Sequence, residues 1–231
     1  NFLIKTIFLK MELALNYEVN GIIIRSENAA KPHTMPSNYL CDHIKNSLKN
    51  GRALDFGCGK LRYSEQLVDK FETVTFLDSR KQLERVQIIR GVQTTIQQYV
   101  ADNYRKANVV PFESMHKITS RYDFILCANV LSAIPCKSTI DKIISGIREL
   151  LKDDGEAMIV NQFKSSYFKK YERGIKHLHG YIYQNSRNAS YYGLLDVNIV
   201  SEICLDNNLS VLSSWSKAGS SYVVVGKKKH A

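Results

Sequence analysis

The feature that most constrains this chain is a glycine turn between two apolar runs, the second of which ends in a carboxylate. Residues 53–59 read Ala-Leu-Asp-Phe-Gly-Cys-Gly, and Asp78 lies 19 residues beyond Gly59 at the end of the second run. This spacing predicts a strand, a tight turn, a helix and a second strand that ends in the carboxylate. In an open α/β sheet the carboxyl ends of parallel strands share one edge, so we expect Asp55 and Asp78 to face the same crevice.

After residue 37 the chain alternates apolar strands with amphipathic helices. The clearest strand is Tyr122–Ala128, because its residues are almost continuously apolar, as in a central parallel strand. The alternation predicts an α/β fold with a Rossmann-like, seven-stranded, mostly parallel sheet, helices on both faces and a C-terminal antiparallel hairpin. We expect helices at 37–50, 63–70, 81–89, 95–105, 139–151 and 196–207, and strands at 52–56, 73–77, 108–110, 122–128, 156–161, 209–215 and 222–226.

The turn and the two carboxylates suit a ligand that contains a nucleoside. The two glycines lack a Cβ, so the turn can adopt positive φ and a ligand can approach the backbone. Asp55 can accept a hydrogen bond from an ammonium group, and Asp78 can accept hydrogen bonds from both hydroxyls of a ribose. The dinucleotide pattern fits less well, because Leu61 and Arg62 stand where a third glycine would let a helix approach a pyrophosphate.

Three segments give the chain a family resemblance. Residues 54–59 resemble the first motif of class I S-adenosylmethionine (SAM)-dependent methyltransferases, residues 123–135 resemble the fourth-strand segment of that class, and residues 150–159 resemble the leucine pair, glycine turn and fifth strand that follow it. The resemblance extends over residues 37–227. It implies that SAM is the cofactor and that a methyl group is transferred to an N or O acceptor. By the same resemblance, the expected cofactor-binding residues are Asp55, Phe56, Gly57, Cys58, Gly59, Asp78, Ser79 and Asn129.

The end of the predicted fourth strand bears on the acceptor. Asn129 either lies near the transferred methyl group or is a strand-end amide that caps the next turn. The segment lacks the Asp/Asn/Ser-Pro-Pro-aromatic sequence of enzymes that methylate exocyclic amines of DNA bases, which argues against adenine-N6 or cytosine-N4 methylation. Cys136 lies too far along the chain to match the nucleophilic cysteine of cytosine-C5 methyltransferases. No catalytic residue is therefore assigned.

Residues 164–192 interleave lysines and arginines with tyrosines and follow the predicted fifth strand. This composition suits single-stranded nucleic acid, a lid over an aromatic small molecule, or a helix whose tyrosines pack on the sheet while its lysines stay in water. A non-catalytic module of the same fold, which binds nucleic acid or a protein partner, is the alternative to an enzyme. The candidate substrate residues are His33, Lys169, Lys170, His177 and Tyr181.

Residues 1–36 are expected to form an N-terminal extension and lid, and residues 37–231 the methyltransferase domain, with 164–192 as a substrate-side insertion. Residues 25–37 also resemble methyltransferases associated with bacterial DNA modification systems.

The formal net charge of +10 favours polyanionic partners. Five cysteines without paired spacing indicate reduced thiols, a cytoplasmic location and no metal site, and no apolar run is long enough for a transmembrane helix. The oligomeric state stays open.

Overall fold

The computed structural model describes residues 16–26, 36–164, 166–184 and 189–228 of the chain. The strands are β1 (Asn16–Val19), β2 (Ile22–Arg25), β3 (Arg52–Phe56), β4 (Thr73–Asp78), β5 (Gln87–Ile89), β6 (Val92–Thr94), β7 (Ala107–Pro111), β8 (Tyr122–Ala128), β9 (Leu151–Gln162), β10 (Ile175–His177), β11 (Gly180–Gln184), β12 (Ala189–Gly193), β13 (Leu209–Lys217) and β14 (Ser220–Lys227). The helices are α1 (Asn38–Lys45), α2 (Ser64–Lys70), α3 (Arg80–Glu84), α4 (Ile96–Asn103), α5 (Lys137–Leu150) and α6 (Val197–Asp206). Short 3-10 segments lie at Phe112–Lys117, Leu131–Ala133 and Ser166–Arg173.

Seven strands form the main sheet in the order β13-β14-β9-β8-β3-β4-β7. The strands from β9 to β7 run parallel, and β14 pairs antiparallel with both β9 and β13. The predicted parallel sheet and C-terminal hairpin are therefore confirmed. The chain passes from β3 to β4 on one side and returns as β8 on the other, so the strand order reverses beside β3. In open α/β sheets such a reversal leaves a ligand crevice at the carboxyl ends of the strands.

Helices cover both faces of the main sheet. Leu40 and Ile44 of α1 are fully buried in a cluster with Phe124 of β8, whereas Ile144 of α5 is fully buried in a second cluster on the opposite face. Ser37 caps α1, because its side chain accepts a hydrogen bond from the Leu40 N–H at 3.4 Å. The helix predicted at 37–50 is confirmed at its start, but it ends at Lys45. Its buried face holds the start of the helix next to the carboxyl edge of the sheet.

One predicted helix is wrong. Residues 81–89 have helical spacing, but the helix ends at Glu84 and a β5–β6 hairpin follows. Arg90 and Gly91 form the hairpin turn with φ values of 49° and 83°. Two consecutive residues at positive φ match the twist of a tight hairpin, and the β-branched run before them favours a strand. The third parallel strand, β7, lies where the sequence predicts it.

The helical interpretation of residues 164–192 is also wrong. After the 3-10 segment, this region forms β10, β11 and β12, which join β1 and β2 in a second sheet of order β1-β2-β12-β11-β10. Its hydrogen-bonded register pairs Tyr181 with Tyr192 and Ile182 with Tyr191, and β12 runs parallel to β2 through the pair Ala189 and Ile24. The segment is therefore half of a small sheet whose other half comes from the N-terminal region.

The second sheet lies against the carboxyl edge of the main sheet. Tyr17 and Tyr191 are buried in one cluster with Leu131 and Ile134, which follow β8. Residues 1–15 and 27–35, which include His33 and most of the predicted lid, lie outside the described residues. No helix in the described ranges is long and apolar enough to cross a membrane.

Candidate functional site

A cleft of about 1070 Å³, including its open mouth, lies at the carboxyl ends of β3, β4 and β8. We call it the first cleft. All eight residues that the sequence analysis assigns to cofactor binding line it, so the structure brings the predicted set together. The eight residues are Asp55, Phe56, Gly57, Cys58, Gly59, Asp78, Ser79 and Asn129. Further lining residues that the sequence analysis missed include Tyr17, Lys60, Arg62, Gln82, Phe112 and Val130.

The glycine turn is held against β4 by backbone hydrogen bonds. The N–H of Gly57 donates to the Leu77 carbonyl at 2.7 Å, and Gly57 adopts φ +80°. A Cβ at Gly57 would collide with Cγ2 of Val130, a residue that follows β8. Glycine is therefore required here for two reasons, the left-handed backbone and the close approach of Val130.

Leu61, two residues after Gly59, adopts the left-handed backbone conformation that favours glycine. Its φ is +58°, a value that costs an ordinary L-residue roughly 1 kcal/mol. Its side chain is fully buried with Leu67 and Phe71, and its N–H donates to the Cys58 carbonyl at 2.9 Å. Because the gain from burying a leucine is of the order of 2 kcal/mol, burial offsets the backbone strain. The turn is thus well formed although a leucine occupies this left-handed position.

Asp78 closes the turn from the side of β4. Its Oδ2 accepts the Gly59 N–H at 2.8 Å and its Oδ1 accepts the Ser79 N–H at 2.7 Å. Burial raises the pKa of this carboxyl to about 6, although both hydrogen bonds oppose the rise. The neighbouring Gln82 donates from Nε2 to the Gly59 carbonyl at 2.6 Å, which fixes the turn to the start of α3. Above pH 6 the site therefore presents a carboxylate whose position is already set by the backbone.

Asp55 is the most perturbed acid in the cleft. Its residue exposure is 4%, and burial, followed by the nearby charge of Asp78, raises its pKa to about 8. A buried carboxylate is costly unless a cation or hydrogen-bond donors face it. A ligand that brings an ammonium group to Asp55 would favour the ionised form and would release a proton on binding near neutral pH.

Two cationic residues, Lys60 and Arg62, appear among the described residues that line the first cleft. The Nε atom of Arg62 is buried and has no hydrogen-bond partner among the described atoms. Its guanidinium carbon lies 5.9 Å from the ring centroid of Tyr63, and the Tyr63 hydroxyl accepts the Ser37 N–H at 3.4 Å. Arg62 thus lies beside the start of α1. Arg62 follows the glycine turn directly, but that position alone does not show whether its side chain enters the cleft.

Both interpretations of Asn129 receive support from the geometry. Asn129 adopts φ +60°, its N–H donates to the Val160 carbonyl at 2.7 Å, and its Oδ1 accepts the Gln162 N–H at 2.9 Å. The side chain therefore caps the ends of β8 and β9. The residue also lines the first cleft and a second, smaller one.

The second cleft has a volume of about 350 Å³, including its mouth, and lies between the main sheet and the second sheet. It shares Asn129 and Ala133 with the first cleft, so the two clefts lie side by side. Its remaining lining residues are Ser132, Gln162, Phe168, Tyr191, Tyr192 and Gly193.

The candidate substrate residues within the described ranges do not line either cleft. Lys169 and Lys170 are exposed, and the Lys170 ammonium lies 5.0 Å from the Tyr171 ring centroid. His177 bonds through Nε2 to the Pro135 carbonyl at 2.8 Å, and Tyr181 is half-buried on β11. Other residues of the same predicted segment reach the second cleft instead, namely Phe168, Tyr191 and Tyr192. Within the described ranges, no group of three or more His, Cys, Asp or Glu residues is placed to hold a metal.

Comparison with known proteins gives three results. A family model described as a methyltransferase domain matches residues 54–157. The chain is 66% identical over 216 residues to YmfD of Escherichia coli K12, a protein described as uncharacterized, and the match covers 94% of this chain and 98% of YmfD. Three similar solved structures share the fold. The PH0226 protein of Pyrococcus horikoshii OT3 has a TM-score of 0.61 and 14% identity, and the match covers 87% of this chain and 95% of that one. A SAM-dependent methyltransferase of Clostridium acetobutylicum ATCC 824 has a TM-score of 0.60 and 13% identity, with coverage of 87% of this chain and 94% of that one. A complex of DhpI with S-adenosylhomocysteine has a TM-score of 0.59 and 11% identity, with coverage of 82% of each chain.

Proposed function

The chain belongs to the class I SAM-dependent methyltransferase superfamily, and from this premise we propose that its first cleft binds SAM and that it methylates an N or O atom of an acceptor in the second cleft. The observation that carries the proposal is the convergence of Asp55, the glycine turn and Asp78 at the reversal of strand order. Asp55 would match the ammonium group of SAM and Asp78 its ribose, and the glycine turn would let the cofactor approach the backbone between them.

The adenosine end would bind beside β4 and α3. Asp78 would accept hydrogen bonds from the ribose hydroxyls while it keeps its bonds to the turn, because each carboxylate oxygen can accept more than one hydrogen bond. Phe112 lines the same cleft and packs edge-on against Phe56, with ring centroids 5.9 Å apart. It would supply an apolar surface for the adenine.

The amino-acid end would bind between Asp55 and Arg62. The ammonium group would face Asp55, whose raised pKa reflects the burial of its carboxyl. The carboxylate would face Arg62, since its buried Nε lacks a partner among the described atoms and a guanidinium binds carboxylates with fixed geometry. These two residues would together orient the cofactor along the cleft.

When bound, SAM supplies an electrophilic methyl group on a sulfonium. The chain's own contribution is orientation and the exclusion of water. Asn129 and Ala133 line both clefts, and the second sheet contributes Tyr17 to the first cleft and Tyr191 to the second. A nucleophile in the second cleft would therefore meet the methyl group in a site from which bulk water is largely removed.

Calorimetry with S-adenosylhomocysteine tests this proposal. We expect binding in the wild-type protein and its loss in Gly57→Val, because the valine side chain would collide with Val130 and would be strained at φ +80°. A matched control is Gly21→Val, which also has positive φ, +75°, but lies in the β1–β2 turn, where an added Cβ would meet no described atom within 4 Å. Absence of heat with the wild-type protein, or equal binding in Gly57→Val, would overturn the assignment of the first cleft.

A nucleic-acid component is a second candidate acceptor. Lys169, Lys170 and Lys176 are all exposed on the segment that follows β9. If they contact phosphates, binding of single-stranded RNA should weaken with salt at a slope of about −0.7 per contact in log K against log salt. Replacing these three lysines together with alanine should then reduce the magnitude of the salt slope by about 2, whereas removal of residues 227–229 should change the slope less. An unchanged slope in the triple variant would exclude these contacts.

A further inference from the structure

The carboxyl of Asp55 is buried in the first cleft and has no partner of its own. The residue is 4% exposed, and it lines the first cleft. Within the described ranges, its side chain forms no hydrogen bond and no ion pair. A carboxylate in such a place loses its hydration and gains no donor or cation in return, so the neutral acid is the more stable form.

A second carboxyl lies beside Asp55 on the neighbouring strand. Asp55 of β3 pairs with Phe76 of β4, so Asp55 and Asp78, which lies two residues further along β4, project from the same face of the sheet. Asp78 differs from Asp55 because the backbone N–H groups of Gly59 and Ser79 donate to its two oxygens. These hydrogen bonds favour the ionised form of Asp78, and its negative charge disfavours a second negative charge on Asp55.

The two carboxyls therefore titrate in a definite order. Burial, followed by the charge of Asp78, raises the pKa of Asp55 to about 8. Burial raises the pKa of Asp78 only to about 6, because its two backbone hydrogen bonds and then the charge of Arg85 oppose the rise. Near pH 7 the pair carries about one proton, and most of it is on Asp55.

The other titratable side chains near Asp55, among the described residues, are two thiols, two phenols and two cations. They are Cys58 and Cys127, Tyr17 and Tyr63, and Lys60 and Arg62. Burial raises the pKa of both thiols, so they stay neutral at pH 7. Neither cation forms an ion pair with Asp55 within the described ranges. A cation that faces Asp55 therefore has to come from a ligand.

An ammonium group next to Asp55 reverses this balance. The attraction between unlike charges favours the carboxylate, so the proton of Asp55 leaves to water as the ligand binds. We propose that cofactor binding in the first cleft is a proton exchange, in which the ammonium group of the cofactor replaces the proton that Asp55 carries in the unliganded protein. Acidification then lowers the affinity for every ligand that carries this group. The inference rests on the proposed function, because it takes the first cleft as the SAM site.

The size of the effect follows from the ionised fraction of each carboxyl. When a ligand binds only one form of a protein, the apparent affinity is reduced by the fraction of that form. With a pKa of about 8, the ionised fraction of Asp55 rises by about 20-fold between pH 6 and pH 7.5. With a pKa of about 6, the ionised fraction of Asp78 rises by only about twofold, and this factor applies to any ligand that has the ribose.

Calorimetry with two ligands tests the proposal. S-adenosylhomocysteine carries the ammonium group, whereas 5′-methylthioadenosine has the same adenosine without it. Between pH 6 and pH 7.5, the affinity should rise by about tenfold or more for S-adenosylhomocysteine and by about twofold for 5′-methylthioadenosine. Titrations at pH 7 in phosphate and in Tris, whose ionisation enthalpies differ, count the protons released. They should give close to one proton for S-adenosylhomocysteine and far less for 5′-methylthioadenosine.

Asp55→Asn separates the proton from the shape of the cleft. Asparagine has nearly the same size but does not ionise, so the variant should bind S-adenosylhomocysteine more weakly and with a pH dependence no steeper than that of 5′-methylthioadenosine. Arg62→Met is the matched control, because it also weakens S-adenosylhomocysteine but keeps Asp55. Its affinity should rise with pH as steeply as that of the wild type.

Three results would overturn this inference and leave the proposed function intact. The first is binding of S-adenosylhomocysteine to the wild type without proton release at pH 7, and the second is equal proton release with both ligands. The third is an Asp55→Asn variant whose affinity rises with pH as steeply as that of the wild type. If neither ligand binds at any pH, the proposed function fails as well.

Discussion

Replacement of Arg62 by methionine tests how the first cleft holds the amino-acid end of the cofactor. Methionine keeps an unbranched apolar stem but removes the guanidinium. Hydrogen bonds to charged groups contribute about 1.5–3 kcal/mol, and the lower end applies because Arg62 is only partly buried. With about 1.4 kcal/mol per factor of ten, the affinity for S-adenosylhomocysteine should fall by about 10- to 30-fold. The free energy of unfolding should not fall, since the substitution removes a buried Nε without a partner among the described atoms.

The assay is calorimetric titration of each variant with S-adenosylhomocysteine and with 5′-methylthioadenosine, which keeps the adenosine but lacks the amino-acid end. Arg62→Met should lower the affinity for S-adenosylhomocysteine and leave the affinity for 5′-methylthioadenosine unchanged. Lys60→Met is the matched control, because Lys60 also lines the first cleft as a cation, and it should change either affinity by less than threefold. Equal losses for both ligands would mean that Arg62 only shapes the cleft. A loss confined to Lys60→Met would assign the carboxylate to Lys60 and refute the reasoning.

Three further predictions concern the turn and its two acids. Because Leu61 has φ +58°, Leu61→Gly should unfold at a higher denaturant concentration than Leu61→Ala, the reverse of the usual order, although both should be less stable than wild type by about 2–4 kcal/mol. The pKa of Asp55 is raised from 3.8 to about 8, so between these values the folded state binds a proton that the unfolded state releases, and the free energy of unfolding should fall as pH rises from 4 to 8. In thermal melts the melting temperature of Asp55→Asn should fall less steeply over this range than that of the wild type. An equally steep fall would contradict the burial argument. Asp78→Ala should weaken the binding of S-adenosylhomocysteine by about 1.5–3 kcal/mol in calorimetry. It should also lower the melting temperature, because two backbone N–H groups of the turn lose their acceptor. A variant that binds like the wild type would exclude Asp78 as the ribose ligand.

The first cleft was predictable because its determinants are local. Two parallel strands, a tight turn and two strand-end acids lie between residues 52 and 78, and the pairing of β3 with β4 follows from adjacent apolar runs. Asn129 follows an almost continuously apolar strand, so its place at the same edge could also be predicted. Arg62 could not be assigned from the sequence, because a basic residue after the turn could equally have pointed to solvent. Its buried Nε is a property of the folded turn.

The second sheet could not be predicted from local pattern. Its two halves meet where Ile24 of β2 pairs with Ala189 of β12, a parallel contact between distant parts of the chain. The lysine and tyrosine content of residues 164–192 suggested nucleic acid or a helix, but composition does not reveal the direction in which a side chain points. The alternation in Gly180–Gln184, with Ile182 buried between two half-buried tyrosines, is the strand signal that this composition obscured.

The charges of the first cleft have a physical basis in the proposed reaction. The cofactor carries fixed charges at its amino-acid end, and Asp55 and Arg62 would replace the hydration that those charges lose. A cofactor bound in the reverse direction would leave both residues without a charged partner, which is costly for the buried carboxyl of Asp55. The positions of Asp55 and Arg62 would therefore favour a single orientation of the cofactor along the first cleft.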